Sequence, residues 1–437
     1  MITSKQIPRT VTVADGGETA GRGFLGHILA SVLVLALVVF QQKNAVLFAA
    51  ESTPTLVVPR SGVSLQIAAT AERIQNVAGS RQLVEMGGER ATVPAQWSPA
   101  MADDGSAATE RYRLLATIPP AKTGAGPRRF KLQQVQRQSG GDAALKLSEL
   151  DSKSLRVDDG EKPVLVYNHG EIISSRVPKH DSRRSRACYV HPVWGINGEV
   201  LTDDFPADHY HHHGVFWTWP HVEIAGKEYD LWTGSNIRQK FVRWIHRRAG
   251  HVAAVVAVEN GWFVGEKKVM IERLWLRTYR ASNDARALDF EFVWIPVGRP
   301  VTLRGAGEKS YGGLTMRLAV RLEKEATITV PSGPAKEDLT NTRLPWADLT
   351  YPFAGAADRS GAALFVDPAH PDYPPTWLVR HYGVLCIGWP GVKGKTFPPG
   401  EPIRLNYRVW IHKAVVGQCK LQRAYQGYAE TAKVRWE

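Results

Sequence analysis

Chemistry in this chain concentrates in one stretch, Cys188 to His221, which reads CYVHPVWGINGEVLTDDFPADHYHHHGVFWTWPH. It holds six of the 14 histidines, together with Asp203, Asp204, Asp208 and three tryptophans. Histidine titrates nearest neutrality and is the commonest metal ligand. Tryptophan and tyrosine offer flat apolar faces with a polar handle. Imidazoles, carboxylates and aromatic faces in one segment suit a site for a polar ligand, with or without a metal. If Asp208 to Gly214 is extended, His209, His211 and His213 share one face, and Tyr210 and His212 take the other. Two imidazoles two apart on a strand can reach one ion, so His209 and His211 with Asp208 are the candidate set for a divalent metal. The helical HExxH zinc pattern is absent, and Thr218 and Trp219 stand where a cupin-like HxH site wants a glutamate.

A sugar cleft is the second chemistry open to these residues. Pyranose rings stack on aromatic faces, and their hydroxyls need many fixed polar partners because a buried unpaired hydroxyl is costly. Trp217 and Trp219, beside Trp194 and Trp232, are candidate platforms. His191, His209, His211, His212, Asp203 and Asp204 are candidates for proton transfer or its orientation, and Arg380 and His381 for holding the substrate. For any single histidine the plainer reading is a packed ring satisfied by backbone groups.

The elements that must position these residues are strands. KPVLVYNHG, HVAAVVAVEN, KKVMIERLWLRTY, RALDFEFVWIPV, GLTMRLAVRL, GAALFVD, WLVRHYGVLCIG and IRLNYRVWIH follow one another from residue 161 onward, separated by turn residues. Strands at that spacing, with no helical period between them, predict an all-β fold, a large antiparallel sandwich over 161–425. In Ile403 to His412 one face reads Ile403, Leu405, Tyr407, Val409 and Ile411. In Leu288 to Ile295 the apolar face is Leu288, Phe290, Phe292 and Trp294, and the opposite face carries Asp289 and Glu291, towards water or a cleft. Residues 53–159 read as a smaller β-rich domain with no chemical constellation.

Before them, residues 1–23 are polar, and Phe24 to Phe40 is apolar without a charge. That hydrophobic helix suits a signal h-region or a single membrane anchor. Either reading exports the rest of the chain, to the periplasm or beyond. The net charge of +13 comes from scattered basic residues, the densest being SRRSR and RWIHRR, which argues for a solvated basic surface over a nucleic-acid partner. Cys188, Cys386 and Cys419 form no CxxC pair, and their disulfide state is open.

At its histidine segment the sequence resembles a bacterial family catalogued under the label "methane oxygenase PmoA". HPVWGINGEVLTDDFPADHYHHHGVFWTW is similar to that family's HP…G…LTDDFP.DHPHHRGLFW.W, and GGLTMRLA, AALFVDPAHPDYPPTWLVRHYGVL and PPGEPIRLNYRVWIH fit as well. The likeness spans about Val164 to Lys413. It implies roles for His191, Asp203, Asp204, Asp208, His209, His211, His212, Gly214, Trp217, Trp219, Arg380 and Gly383. It moves weight off His213, where the family tends to have arginine, and the family often has aspartate at His381. A membrane-embedded oxygenase would need several spans and the sequence offers one, so the label does not describe an activity here. The resemblance implies an exported carbohydrate-linked protein with the supersandwich of galactose mutarotase-like proteins. A metal-dependent oxygenase or hydrolase and a non-catalytic cell-surface binding module are the alternatives.

Overall fold

The structure is a computed structural model and describes residues 54–72, 79–122, 124–135, 145–282, 284–356, 358–413 and 417–437. The apolar segment 24–40 and the polar residues before it lie outside this set. Among the described residues no helix is long and apolar enough to cross a membrane.

Val, Ile, Trp and Phe runs broken by Gly and Pro produce strands, and strand pairing among the described residues is antiparallel. Two nine-stranded sheets dominate. The front sheet runs Leu339–Arg343, Thr376–Arg380, Val384–Gly388, Gly313–Arg317, Val215–Thr218, Tyr189–Val193, Lys162–Asn168, Ser154–Asp159 and Leu145–Glu149. The back sheet runs from Arg238–Arg248 through Ala253–Val264, Lys267–Tyr279, Ala285–Pro296, Ile403–Lys413, Ser360–Val366 and Trp346–Tyr351 to two short strands at 327–335. One hydrophobic core joins them: Val190, Val215, Trp217, Met316 and Trp377 of the front sheet meet Val258, Trp262, Leu274, Phe290, Phe292 and Val409 of the back. That shared core makes the pair a sandwich, since each sheet buries one face against the other.

A third, seven-stranded sheet is built from 55–135, and the C-terminal strand Arg435–Trp436 returns to pair with Thr55–Val58. The small domain expected over 53–159 therefore divides: strands Leu145–Glu149 and Ser154–Asp159 belong to the front sheet through their pairing with Lys162–Asn168. The polar face of Ala285–Pro296 does not look to water. Asp289 and Glu291 are 6% and 8% exposed; Glu291 binds Arg277 of the same sheet and Arg113 of the seven-stranded sheet, and Asp289 binds Arg408. Burial pushes the Glu291 carboxyl up, but the two guanidiniums prevail and hold it well below the usual range. The expectation of water or a cleft on that face fails because the seven-stranded sheet, which brings Arg113, covers it. The helix Gln418–Glu430 packs Leu421, Ala424 and Tyr425 on Trp346, Ala363 and Phe365.

Alternation in the front sheet decides what faces the sandwich core and what faces away. Val190, Val215, Trp217 and Met316 point into the core, while Tyr189, Phe216, Leu378, Val384 and Cys386 form a separate apolar cluster that also takes in Trp232. The histidine segment lies over this second cluster.

Candidate functional site

Asp204 is the node of the site. Its Oδ2 accepts from the Tyr189 hydroxyl at 2.8 Å and its Oδ1 meets His213 Nδ1 at 2.7 Å. Burial raises the Asp204 carboxyl, but the His213 bond and nearby charges outweigh it and keep the group below its ordinary range. An ionised carboxylate can only accept, so His213 Nδ1 carries the proton and Nε2 is the basic nitrogen. His213 is 2% exposed, and burial depresses its pKa against the pull of Asp204. The imidazole is therefore neutral near pH 7, with a carboxylate behind it. Phe205 at φ +47°, a conformation bulky residues rarely adopt, sets its ring edge-on to His213 at 4.5 Å. Gly214 lets the chain pass its neighbour: a Cβ there would lie 2.2 Å from the Val190 carbonyl.

His213 and His211 stand in the wall of a cavity of about 290 Å³, at the lower end of the small-molecule range. Segments at 169–171, 183–187 and 232–234 and the edge strand Arg238–Arg248 complete it, contributing His169, Arg183, Arg186, Trp232, Arg238, Lys240 and Phe241. His211 Nδ1 is buried without a protein partner. Burial first, then the nearby His209 and Arg183, lower the His211 pKa to about 4.

A second group adjoins the first. The rings of His212, His209 and Tyr382 stack nearly parallel, His209 lying 4.5 Å from His212 and 5.1 Å from Tyr382. Arg317 lies over the Tyr382 ring and binds Asp208, whose Oδ2 also meets His209 Nδ1 at 2.9 Å. This is a packed cluster, with Arg317 Nε buried without a hydrogen-bond partner, and it is not part of the cavity lining.

The segment 207–213 is a series of turns, with backbone bonds from His209 to Pro206 and from His212 to His209. That corrects the extended reading and separates the histidines differently from either sequence argument. The metal set His209, His211 and Asp208 does not converge: His209 Nδ1 is engaged by Asp208 and meets His211 edge to face at 5.6 Å. Among the described residues no group of three His, Cys, Asp or Glu is placed to hold a metal ion.

Trp217 and Trp219 are fully buried in the sandwich core and present no open face. They are corrected from stacking platforms to core residues; Trp219 Nε1 binds the Trp389 carbonyl. Trp232 alone of the four tryptophans considered lines the cavity. Asp203 caps the Asp204 amide and pairs with Arg321, and His191 Nδ1 meets the Thr202 hydroxyl at 3.0 Å. These two residues brace the loop without lining the cavity. Arg380 and His381 pair with Asp338 and do not line it either. The sequence reading missed His213, demoted by its departure from the family pattern, and the cationic wall, whose residues come from segments 169–187 and 232–241. Cys188 and Cys386 are buried free thiols, and Cys419 is an exposed one.

The family of unknown function DUF6807 matches residues 154–426, more than half of the chain. The chain belongs to DUF6807. The matched span contains the front sheet from Ser154–Asp159 onward, the back sheet and every residue that lines the cavity. A search of curated proteins finds no match to this DUF6807 member.

Proposed function

We propose that this DUF6807 protein binds a small carbohydrate in the cavity beside His213 and acts on it by proton transfer. The observation that carries the reading is the hydrogen-bonded chain Tyr189, Asp204, His213, whose last member stands in the wall of a ligand-sized cavity. A neutral imidazole with Nδ1 held by an ionised carboxylate is the arrangement of a general base. Asp204 stabilises the imidazolium once Nε2 has taken a proton, and Tyr189 fixes Asp204. Trp232 and Phe241 supply the aromatic surface for a sugar ring, and the polar lining supplies partners for its hydroxyls.

The export reading is part of the same proposal and rests on the apolar run Phe24 to Phe40. Kinship with the PmoA-labelled proteins rests on the segment from His191 to Trp219. A galactose mutarotase-like arrangement is proposed for the sandwich, supported by two nine-stranded antiparallel sheets over one core.

A panel of neutral and acidic glycosides, followed by NMR for turnover and by calorimetry for binding, tests the reading. His213→Gln should lower turnover by about 10²–10⁴-fold, the usual share of a general base, while changing affinity only a few-fold. Turnover untouched by that substitution contradicts the assignment. Binding without turnover in the wild type makes the cavity a binding module instead.

A further inference from the structure

The cavity wall is strongly cationic. Arg183, Arg186, Arg238 and Lys240 line it with three histidines, against a single carboxylate, Glu171. Two of the four permanent cations are already paired: Arg183 with Asp181, and Lys240 with Glu266. The other two bond only to neutral oxygens. Arg186 donates to the Leu231 carbonyl at 3.0 Å and to the Gln239 side chain at 2.5 Å, and its Nε is buried with no partner. Arg238 donates to the Ser185 hydroxyl and the Ser182 carbonyl, both at 3.1 Å. Arg186 is 8% exposed, and a guanidinium so far out of water is costly unless a negative charge answers it. The nearest answer inside the fold is indirect. Glu272, fully buried, accepts from the far side of Gln239 and from Asn260, Trp262 and Trp294, so it compensates Arg186 from behind and leaves the cavity side open.

We infer that the ligand of this cavity carries an oxyanion, a carboxylate or a phosphate on a sugar-sized body, received by Arg186 and Arg238. This rests on the reading of the cavity as a carbohydrate site and narrows it. Planar guanidiniums match oxyanions with directed, charge-assisted bonds. His213 sits in the same wall, so an anion held there fixes the ligand relative to the base. With a carboxylate on the ring, the same cations would also draw charge from the carbon beside it, which suits proton abstraction at that carbon.

Calorimetric titration of the full chain at low salt with D-glucuronate, D-glucose 6-phosphate, D-glucose and inorganic phosphate tests the inference. The sugar anions should bind at least about tenfold tighter than glucose, about 1.4 kcal/mol, and added salt should weaken them selectively. Arg238→Gln and Arg186→Met should each bring the anions towards parity with glucose, with melting curves to confirm folding. Should Arg186→Met fail to fold, Arg238→Gln decides, since its bonds go only to Ser182 and Ser185. Glucose binding as tightly as glucuronate, or a preference surviving the arginine substitutions, overturns the inference and leaves the carbohydrate reading standing. Inorganic phosphate matching the sugar anions, with no competition from glucose, keeps the oxyanion site and overturns the carbohydrate reading. Failure of all three anions to bind at millimolar concentration overturns the inference.

Discussion

His211 and His370 are both held at a pKa of about 4, chiefly by burial. His370 shows why in its bonds: its Nδ1 accepts the Asp372 amide at 3.2 Å, a bond that a protonated ring cannot accept. Both pKa values lie below the unfolded value of about 6.5, so the unfolded chain takes up these protons first. Each histidine therefore leaves stability intact above about pH 6.5 and removes it progressively as pH falls towards 4. At pH 5 a group with pKa 6.5 unfolded and about 4 folded costs about 2 kcal/mol, so the pair costs about 4 kcal/mol. The lowered carboxylates, Asp204 and Glu291 among them, lose their contribution as pH falls below their unfolded values of about 4–4.5, and little of it is gone at pH 5. The other depressed histidines, His169, His191, His212, His213 and His246, add to the loss. Urea denaturation at pH 7.5 and pH 5.0 measures the difference. His211→Gln and His370→Gln should each shrink it by about 2 kcal/mol, whatever the substitution costs at pH 7.5. Equal stability at the two pH values, or a difference that neither variant changes, refutes the account of these buried neutral rings.

Three further outcomes follow from the site and its support. Asp204→Asn should cost about 2–3 kcal/mol, because it weakens two charge-assisted bonds of a buried group, and should lower the His213 pKa further; urea melts and histidine NMR titration measure both. Trp217→Ala should cost about 3–5 kcal/mol by opening a core cavity, whereas Trp232→Ala should weaken sugar binding more than it weakens the fold; loss of binding by Trp217→Phe without loss of stability would restore its role as a platform. Gly214→Ala should cost about 1–3 kcal/mol by overpacking against the Val190 carbonyl, detectable as a lower melting temperature.

The sandwich was legible because its strands alternate visibly. Ile403, Leu405, Tyr407, Val409 and Ile411 are all buried, as their period predicts. The same period, applied to Val215 and Trp217, puts that tryptophan in the core, and only its place beside the histidines drew attention to it as a ligand surface. The Cys188 to His221 stretch was legible as the place of the site, but its internal pairing was not. Turns at 207–213 have no period, so nothing in the spacing says that His213 meets Asp204 while His209 meets Asp208 and Tyr382. Arg186 and Arg238 stand far apart in the chain and come together only because one flanks the strand Tyr189–Val193 and the other opens the back sheet's edge strand. A basic cluster such as SRRSR reads as surface until that placement shows one of its arginines buried at the cavity wall.

A crystal of the protein soaked with D-glucuronate tests the central claim most directly. The account predicts sugar density in the cavity, its carboxylate against Arg186 and Arg238, a ring face on Trp232 or Phe241, and a ring carbon or hydroxyl within hydrogen-bond reach of His213 Nε2. Density elsewhere with the cavity empty, or a sugar seated in the cavity with His213 turned away from it, would contradict the account.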